Sequence, residues 1–275
     1  MSIALQESTQ LHNGVQMPWL GLGVWQVKEG NEIVSSVKHA LQVGYRSIDT
    51  AAIYGNEEGV GKAIAEAGIP REELFVTTKV WNADQGYEST LQAFEESKKK
   101  LGLDYIDLYL IHWPVKGKYN DTWKALEKLY KDGQVRAIGV SNFQIHHLQD
   151  LMSQSEIVPM VNQVEYHPLL NQKELLAFCQ EHKIQLEAWS PLMQGNLDLP
   201  LLQELSGKYQ KSAAQIVLRW DLQNKVVTIP KSITAHRMEE NAQVFDFELS
   251  TEDMAKLDEL NQNRRFGPDP DNFDF

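Results

Sequence analysis

Four residues of the kinds that move protons stand at or just beyond the ends of three short apolar runs in this chain. Asp49 closes Arg46-Ser47-Ile48-Asp49 and is followed shortly by Tyr54, Lys79 closes Leu74-Phe75-Val76-Thr77-Thr78-Lys79, and His112 closes Ile106-Asp107-Leu108-Tyr109-Leu110-Ile111-His112. Together they suit acid–base work at a carbonyl. An isolated phenol has a pKa of about 10, too high for efficient proton donation near neutrality. A neighbouring ammonium stabilises tyrosinate and lowers that pKa. A carboxylate would hold the ammonium in place, and as a pair the two charges tolerate a burial that would be costly for either alone. A histidine near the reacting oxygen can donate a hydrogen bond and orient the substrate. Taken singly, each residue has a plainer use: Asp49 could cap a turn, Lys79 could sit on the surface, and His112 could be a satisfied core residue. Their joint occurrence at successive run ends favours chemistry.

The elements that would position these residues follow from hydrophobic patterning. Further apolar runs lie at Leu20-Gly21-Leu22-Gly23-Val24, Val135-Arg136-Ala137-Ile138-Gly139-Val140, Met160-Val161-Asn162-Gln163-Val164-Glu165, Gln185-Leu186-Glu187-Ala188-Trp189 and Val226-Val227-Thr228-Ile229. With the three above they read as eight buried parallel strands. Between them, helices are predicted over 56–67, with Asn56 as N-cap, and over 88–101, 122–130 and 213–222, the third stopping at Lys131-Asp132-Gly133. Strands alternating with helices in one uninterrupted chain predict a single (β/α)8 barrel domain spanning 1–275. A doubly wound sheet would show a glycine-rich phosphate loop after its first strand, and none is present. The Asn13-Gly14 pair predicts an N-terminal β-hairpin that could plug the barrel bottom. Segments near 236–244 and 251–260 exceed one helix per strand, and the irregular Arg264-Arg265-Phe266-Gly267-Pro268-Asp269-Pro270 is expected to fold over the barrel mouth.

In such a barrel, function gathers where strands end and loops begin. That face would collect Asp49, Tyr54, Lys79, His112, Ser141, Asn142, Gln163, Ser190 and several tryptophans. The formal net charge of −12 argues against nucleic acid or an anionic membrane as partner and makes any locally basic site informative. With 275 residues the chain can bury a core without disulfide or structural metal. Its single cysteine, Cys179, allows no internal disulfide or cysteine metal cage and reads as a packed helix residue. No stretch is long and apolar enough to span a bilayer and no secretion signal is evident, so the cytoplasm is the expected location, and Asn120-Asp121-Thr122 is read as a chance sequon.

These residues lie within motifs that resemble the aldo-keto reductase family. Gly44-Tyr45-Arg46-Ser47-Ile48-Asp49-Thr50-Ala51 with Tyr54-Gly55-Asn56-Glu57, the stretch from Leu103 to Pro114, and Ile229-Pro230-Lys231-Ser232 resemble its three signatures. Gly139-Val140-Ser141-Asn142-Phe143, Asn162-Gln163-Val164-Glu165 and Trp189-Ser190-Pro191-Leu192 match between them, so the resemblance runs along the whole chain. It implies reduction of aldehydes and ketones with NADP(H). Tyr54 would be the general acid, Lys79 would lower its pKa, Asp49 would pair with Lys79, and His112 would orient the carbonyl.

The resemblance also implies a cofactor site. The nicotinamide would stack on Trp189, with its carboxamide held by Ser141, Asn142 and Gln163. Ser190, Leu192, Gln194 and Gly195 would meet the pyrophosphate. Lys231, Ser232 and Arg237 would hold a 2′-phosphate, which calls for charge-assisted donors, and Glu240 and Asn241 would lie near the adenine. Trp25, Ile53, Trp81, Trp113 and Phe266 would line the substrate pocket with His112. The closing Gly267-Pro268-Asp269-Pro270 resembles bacterial members, among them 2,5-diketogluconate and methylglyoxal/glyoxal reductases. A short-looped mouth of that kind suits small aldehydes, α-dicarbonyls and keto sugars.

Other readings stay open at this point. Glu165 and Glu187 could form the carboxylate pair of a sugar hydrolase. Asp49, His112 and His167 could suggest a metal site, although they lack a recognisable ligand spacing. A cofactor sensor on the same fold is a third reading, and an intact catalytic set argues against it. A monomer is expected, because no sustained exposed apolar surface is evident.

Overall fold

The computed structural model describes Leu5 and residues 7–275. The chain leads with an antiparallel hairpin of β1 (Ser8–Gln10) and β2 (Gln16–Pro18), turned at Gly14 with a φ of 91°. Eight parallel strands follow: β3 (Leu22–Gly23), β4 (Ser47–Asp49), β5 (Phe75–Val80), β6 (Ile106–Ile111), β7 (Val135–Ser141), β8 (Val161–Glu165), β9 (Gln185–Trp189) and β10 (Val227–Thr228). Each pairs with its neighbours in chain order. The ring closes between its first and last members, where Leu20 pairs with Thr228 and Gly23 with Lys231. The Gly21 amide donates to the Thr228 carbonyl, and the Thr228 amide to that of Trp19, both at 3.0 Å. This is the expected (β/α)8 barrel. The two strands at the seam are shorter than their apolar runs, because the runs continue there as single bridges.

Ten helices pack outside the sheet among the described residues: α1 (Asn31–Val43), α2 (Glu57–Ala67), α3 (Tyr87–Leu101), α4 (Tyr119–Lys131), α5 (Ile145–Gln154), α6 (Lys173–Glu181), α7 (Pro200–Tyr209), α8 (Ala213–Gln223), α9 (Ala235–Ala242) and α10 (Thr251–Asp258). One helix follows each of β3 to β8, and two follow each of β9 and β10. Sandwiched between helices and barrel interior, β5 and β6 are buried along their whole length. That double burial is why they read as near-continuous apolar runs. In α4, Trp123, Leu126 and Leu129 face the core, and the helix stops before Gly133, whose φ of 71° suits a residue without a side chain. A capping box at Ser212 and Gln215 starts α8.

One local expectation changes character. Asn56 occupies the N-cap position of α2, but its side chain makes no cap hydrogen bond. Its amide is spent elsewhere: it accepts from Thr50 Oγ1 at 2.7 Å and donates to the carbonyls of Val24 and Val27 at 2.9 and 3.0 Å. Asn56 therefore ties the loop after β3 to the loop after β4, the loop that carries Tyr54. At the opposite end, the hairpin covers the starts of the strands. Asn13 donates to the Arg136 carbonyl at 2.9 Å, Thr9 to Gln185 at 3.1 Å, and Leu11 and Met17 are buried beneath.

Candidate active site

Asp49 is the last residue of β4 and Lys79 lies one residue before the end of β5, so parallel pairing of the strands sets them side by side. Lys79 Nζ donates to Asp49 Oδ1 at 2.6 Å and to the Thr50 carbonyl at 2.9 Å, with both side chains buried. Tyr54 ends a single tight helical turn, Ala52–Tyr54, which lays its ring 5.1 Å from the Lys79 ammonium. His112, just past β6, meets the Tyr54 ring edge-on at 5.7 Å and the Trp81 ring at 5.3 Å. The four proton-handling candidates thus converge at the ends of three adjacent strands.

Burial sets the electrostatics of this group. It pulls the Lys79 ammonium down, but Asp49 and Tyr54 more than offset it, and the pKa ends above its ordinary value. Burial raises the Tyr54 phenol, and the Lys79 cation opposes that rise without cancelling it. Lys79 acts in the expected direction, but in the free protein Tyr54 is held as a protonated acid. Burial and the Lys79 charge drive His112 well below its usual range. Its imidazole is therefore neutral near pH 7, with one N–H to donate, and its Nδ1 is buried without a partner.

Around these groups the ends of β7, β8 and β9 are stitched together. Ser141 Oγ donates to the Gln163 carbonyl at 2.8 Å. Asn142, in a left-handed conformation with φ of 64°, donates to the His112 carbonyl at 2.9 Å and accepts from Trp189 Nε1 at 2.9 Å. Gln163 Nε2 bridges two carboxyl groups, Asp49 Oδ2 at 2.7 Å and Glu187 Oε2 at 2.8 Å.

Beside this centre runs a cleft of about 790 Å³. Ser190, Leu192, Gln194 and Gly195 line one side, Lys231, Ser232, Arg237, Glu240 and Asn241 the other, and Trp25 borders it. Ser190, Met193 and Gln194 all have positive φ. Non-glycine residues in that region cost on the order of 1 kcal/mol each and persist where their surroundings hold them. Lys231 and Arg237 form no ion pair among the described residues, although the chain carries 38 acidic side chains against 26 basic ones.

Residues 19–262 match the model of the aldo/keto reductase family. The chain belongs to the aldo-keto reductase family. It is 65% identical over 272 residues to a glyoxal reductase of Bacillus subtilis (strain 168), across 98% of this chain and 99% of that one. It is 50% identical to the methylglyoxal reductase DkgA of Escherichia coli (strain K12), across 96% and 97%. Among solved structures, an aldo-keto reductase from Bombyx mori in complex with NADP superposes with a TM-score of 0.90 at 39% identity, covering 96% of each chain.

In this aldo-keto reductase aromatic side chains gather around His112. Trp81 and Trp113 flank His112 and Gln85, whose Nε2 donates to the Trp113 carbonyl at 2.8 Å, while Trp25 and Ile53 stand about half exposed. Phe266 packs edge-on against His167 at 5.4 Å and under the Arg264 guanidinium at 4.8 Å. Two further aromatic residues pack against the tryptophans. Phe275 stacks on Trp81 at 6.0 Å and meets Trp113 at 5.2 Å, and Phe273 also lies 5.2 Å from Trp113. The alternating aromatics of Asn272-Phe273-Asp274-Phe275, beyond the two tail prolines, were the available signal.

The rival readings find no geometry. Glu165 Oε1 accepts the Phe266 amide at 2.6 Å and lies 3.0 Å from His167 Nε2, while its Oε2 accepts the Gly267 amide at 3.1 Å. A Cβ on Gly267 would come within 2.3 Å of the Trp189 ring, so only glycine fits where the tail crosses it. With Glu165 closed off by the tail and Glu187 engaged by Gln163, these two acids do not form an open carboxylate pair. Asp49, His112 and His167 do not converge, since Asp49 is committed to Lys79 and Gln163, and His167 to Glu165. Cys179 is buried in α6, and burial pushes its thiol up to about 12, which suits packing and not nucleophilic attack.

Proposed function

We propose that this aldo-keto reductase uses NADPH to reduce small aldehydes, ketones and α-dicarbonyls of the glyoxal and methylglyoxal kind, with keto sugars such as 2,5-diketogluconate as further candidates. The observation that carries the reading is the Lys79-backed Tyr54 and neutral His112, set beside a cleft whose cations are unpaired. That cleft fits the cofactor, because a dianionic 2′-phosphate needs charge-assisted donors and Lys231 and Arg237 have no carboxylate partner among the described residues. Ser190, Leu192, Gln194 and Gly195 would meet the pyrophosphate, and Glu240 and Asn241 would lie near the adenine. Ser141, Asn142 and Gln163 would hold the nicotinamide carboxamide, with the ring stacked on Trp189.

When bound, NADPH supplies the hydride. The protein's own residues do the rest. His112 donates its N–H to the carbonyl oxygen and fixes its position. Tyr54 gives that oxygen a proton, and the Lys79 cation, held by Asp49 and the Thr50 carbonyl, stabilises the tyrosinate left behind. Trp81, Trp113 and Phe275 exclude water and strengthen these interactions. The names of the glyoxal and methylglyoxal reductases among the relatives support the substrate class.

The test is to mix the protein with NADPH and glyoxal, methylglyoxal or a nitrobenzaldehyde and follow the nicotinamide absorbance. Steady oxidation with one or more of these carbonyls is expected, and none across a broad panel would overturn the proposal. A monomeric, cytoplasmic enzyme is the corresponding expectation. Of the exposed large apolar residues, Trp25, Ile53 and Phe275 belong to the site itself, not to a separate docking face. Sedimentation and cell fractionation test this.

A further inference from the structure

Glu187 is the buried acid beside the site that the proposed chemistry leaves unused. It lies on β9 two residues before Trp189, so along the strand both side chains leave on the same side. Its Oε2 accepts from Gln163 Nε2, which gives its other hydrogen to Asp49, and its Oε1 is buried without a partner. A glutamine amide has one donating end and one accepting end. Asp49, ionised against Lys79, only accepts, so the nitrogen must face it. Turned over, the amide would set its oxygen against the Asp49 carboxylate, and against Glu187 as well once that carboxyl ionises. The two acids therefore decide which way Gln163 points, and its carbonyl oxygen is left for an N–H donor from outside the network.

We propose that Glu187 is a positioning residue for the cofactor: together with Asp49 it locks the Gln163 amide with its oxygen available to the carboxamide N–H2 of the nicotinamide. This rests on the reading of NADPH as cofactor. Glu187 also adds a charge that depends on pH. Burial and Asp49 push its carboxyl up to about 8, and the Gln163 hydrogen bond and Lys79 only partly hold it down. The titratable groups that act on it are Asp49 from β4 and Lys79 from β5, with Tyr54 beyond Lys79. Its ionisation adds a negative charge on β9. That charge favours the cationic oxidised nicotinamide over the neutral reduced one.

The experiment is fluorescence titration of the intact protein with NADPH and with NADP+, from pH 6.5 to 9.5, for wild type, Glu187→Ala and Glu187→Gln. At pH 7, Glu187→Ala should weaken NADPH binding about 3- to 10-fold, the worth of one net hydrogen bond. Glu187→Gln, which still offers an acceptor, should restore it. In the wild type the ratio of the NADPH to the NADP+ dissociation constant should rise through pH 8, and in Glu187→Gln it should stay flat. NADPH binding by Glu187→Ala equal to wild type, or an unchanged pH dependence in Glu187→Gln, would overturn the proposal. Should Glu187→Ala not fold, the glutamine variant's pH series decides alone. A wild type that binds neither nucleotide would bring down the cofactor reading itself, and this inference with it.

Discussion

The barrel buries a carboxylate near each end, and the two are treated differently. Asp107, near the start of β6, accepts from Arg71 at 2.6 Å, Arg136 at 2.8 Å and the Val76 amide at 2.9 Å. Arg71 also donates to the Leu74 and Tyr105 carbonyls and lies over the Tyr105 ring at 4.1 Å. Asp49, at the end of β4, shares one cation with a neighbourhood that holds a second carboxyl group, a protonated phenol and a histidine lacking a partner at Nδ1. At the first end donors saturate the acid, and the result is structure. At the second end polar groups outnumber their partners, so protons and ligands have somewhere to go. Barrels place chemistry at the C-terminal ends of strands and stability at the other end, and these two aspartates show the physical form of that division.

The sharpest way to break this comparison is to remove the proton donor. Tyr54→Phe should lower kcat by about a thousandfold, within the range of general acid catalysis. It should leave the melting temperature and the NADPH dissociation constant close to wild type. Retained turnover would remove Tyr54 from its role. The next largest effect belongs to the opposite end. Asp107→Asn leaves two guanidinium groups without their buried anion. It should cost about 2–3 kcal/mol in denaturant unfolding, below the full value for a buried pair because both arginines are partly exposed. Steady-state kcat/KM should stay within about twofold if the two ends work independently. A large kinetic loss with unchanged stability would erase the distinction.

A smaller effect tests the claim that cations without a protein partner are waiting for a ligand. Arg237→Ala should raise the dissociation constant for NADPH by about 10- to 30-fold, the loss of a charge-assisted hydrogen bond or two. Binding of NADH, which lacks the 2′-phosphate, should change by less than about twofold. Equal losses for both nucleotides would mean that Arg237 shapes the cleft and does not read the phosphate.

How much of this was legible beforehand follows the range of each contact. Asp49, Lys79 and His112 stand at the ends of apolar runs, and that local pattern, together with the motifs around it, was enough to place them at one mouth. The hairpin was visible because an Asn-Gly pair has few other uses. The tail was not legible in detail. The hydrogen bonds that seat it join residues about a hundred or more apart, as Glu165 to Phe266 and Asn82 to Phe275 do. Contacts of that kind leave no periodic trace. Asn56 illustrates a subtler limit: its position at the start of α2 could be read, but the partners that divert its side chain to Thr50, Val24 and Val27 come from the packed barrel. Glu187 looked like half of a hydrolytic pair until the bridging Gln163 was seen between it and Asp49.

The mildest prediction returns to the crowded end and concerns pH. Glu187 ordinarily would titrate at 4.5, and in the folded protein it does so at about 8. Below the lower value both folded and unfolded chains keep the proton, and the folded state has the full benefit of a neutral buried acid. Between the two values the unfolded chain has released its proton while the folded chain still holds it, so unfolding gains and stability falls as pH rises. Above about 8 both are ionised and the loss levels off. Glu187→Gln, neutral throughout, escapes that loss. Its melting temperature relative to wild type should therefore climb from pH 5 to pH 8 and then hold steady. A difference that does not vary with pH would show that the carboxyl group is ionised across the range, and the excess of acids over cations at this end of the barrel would then need another cation to balance it.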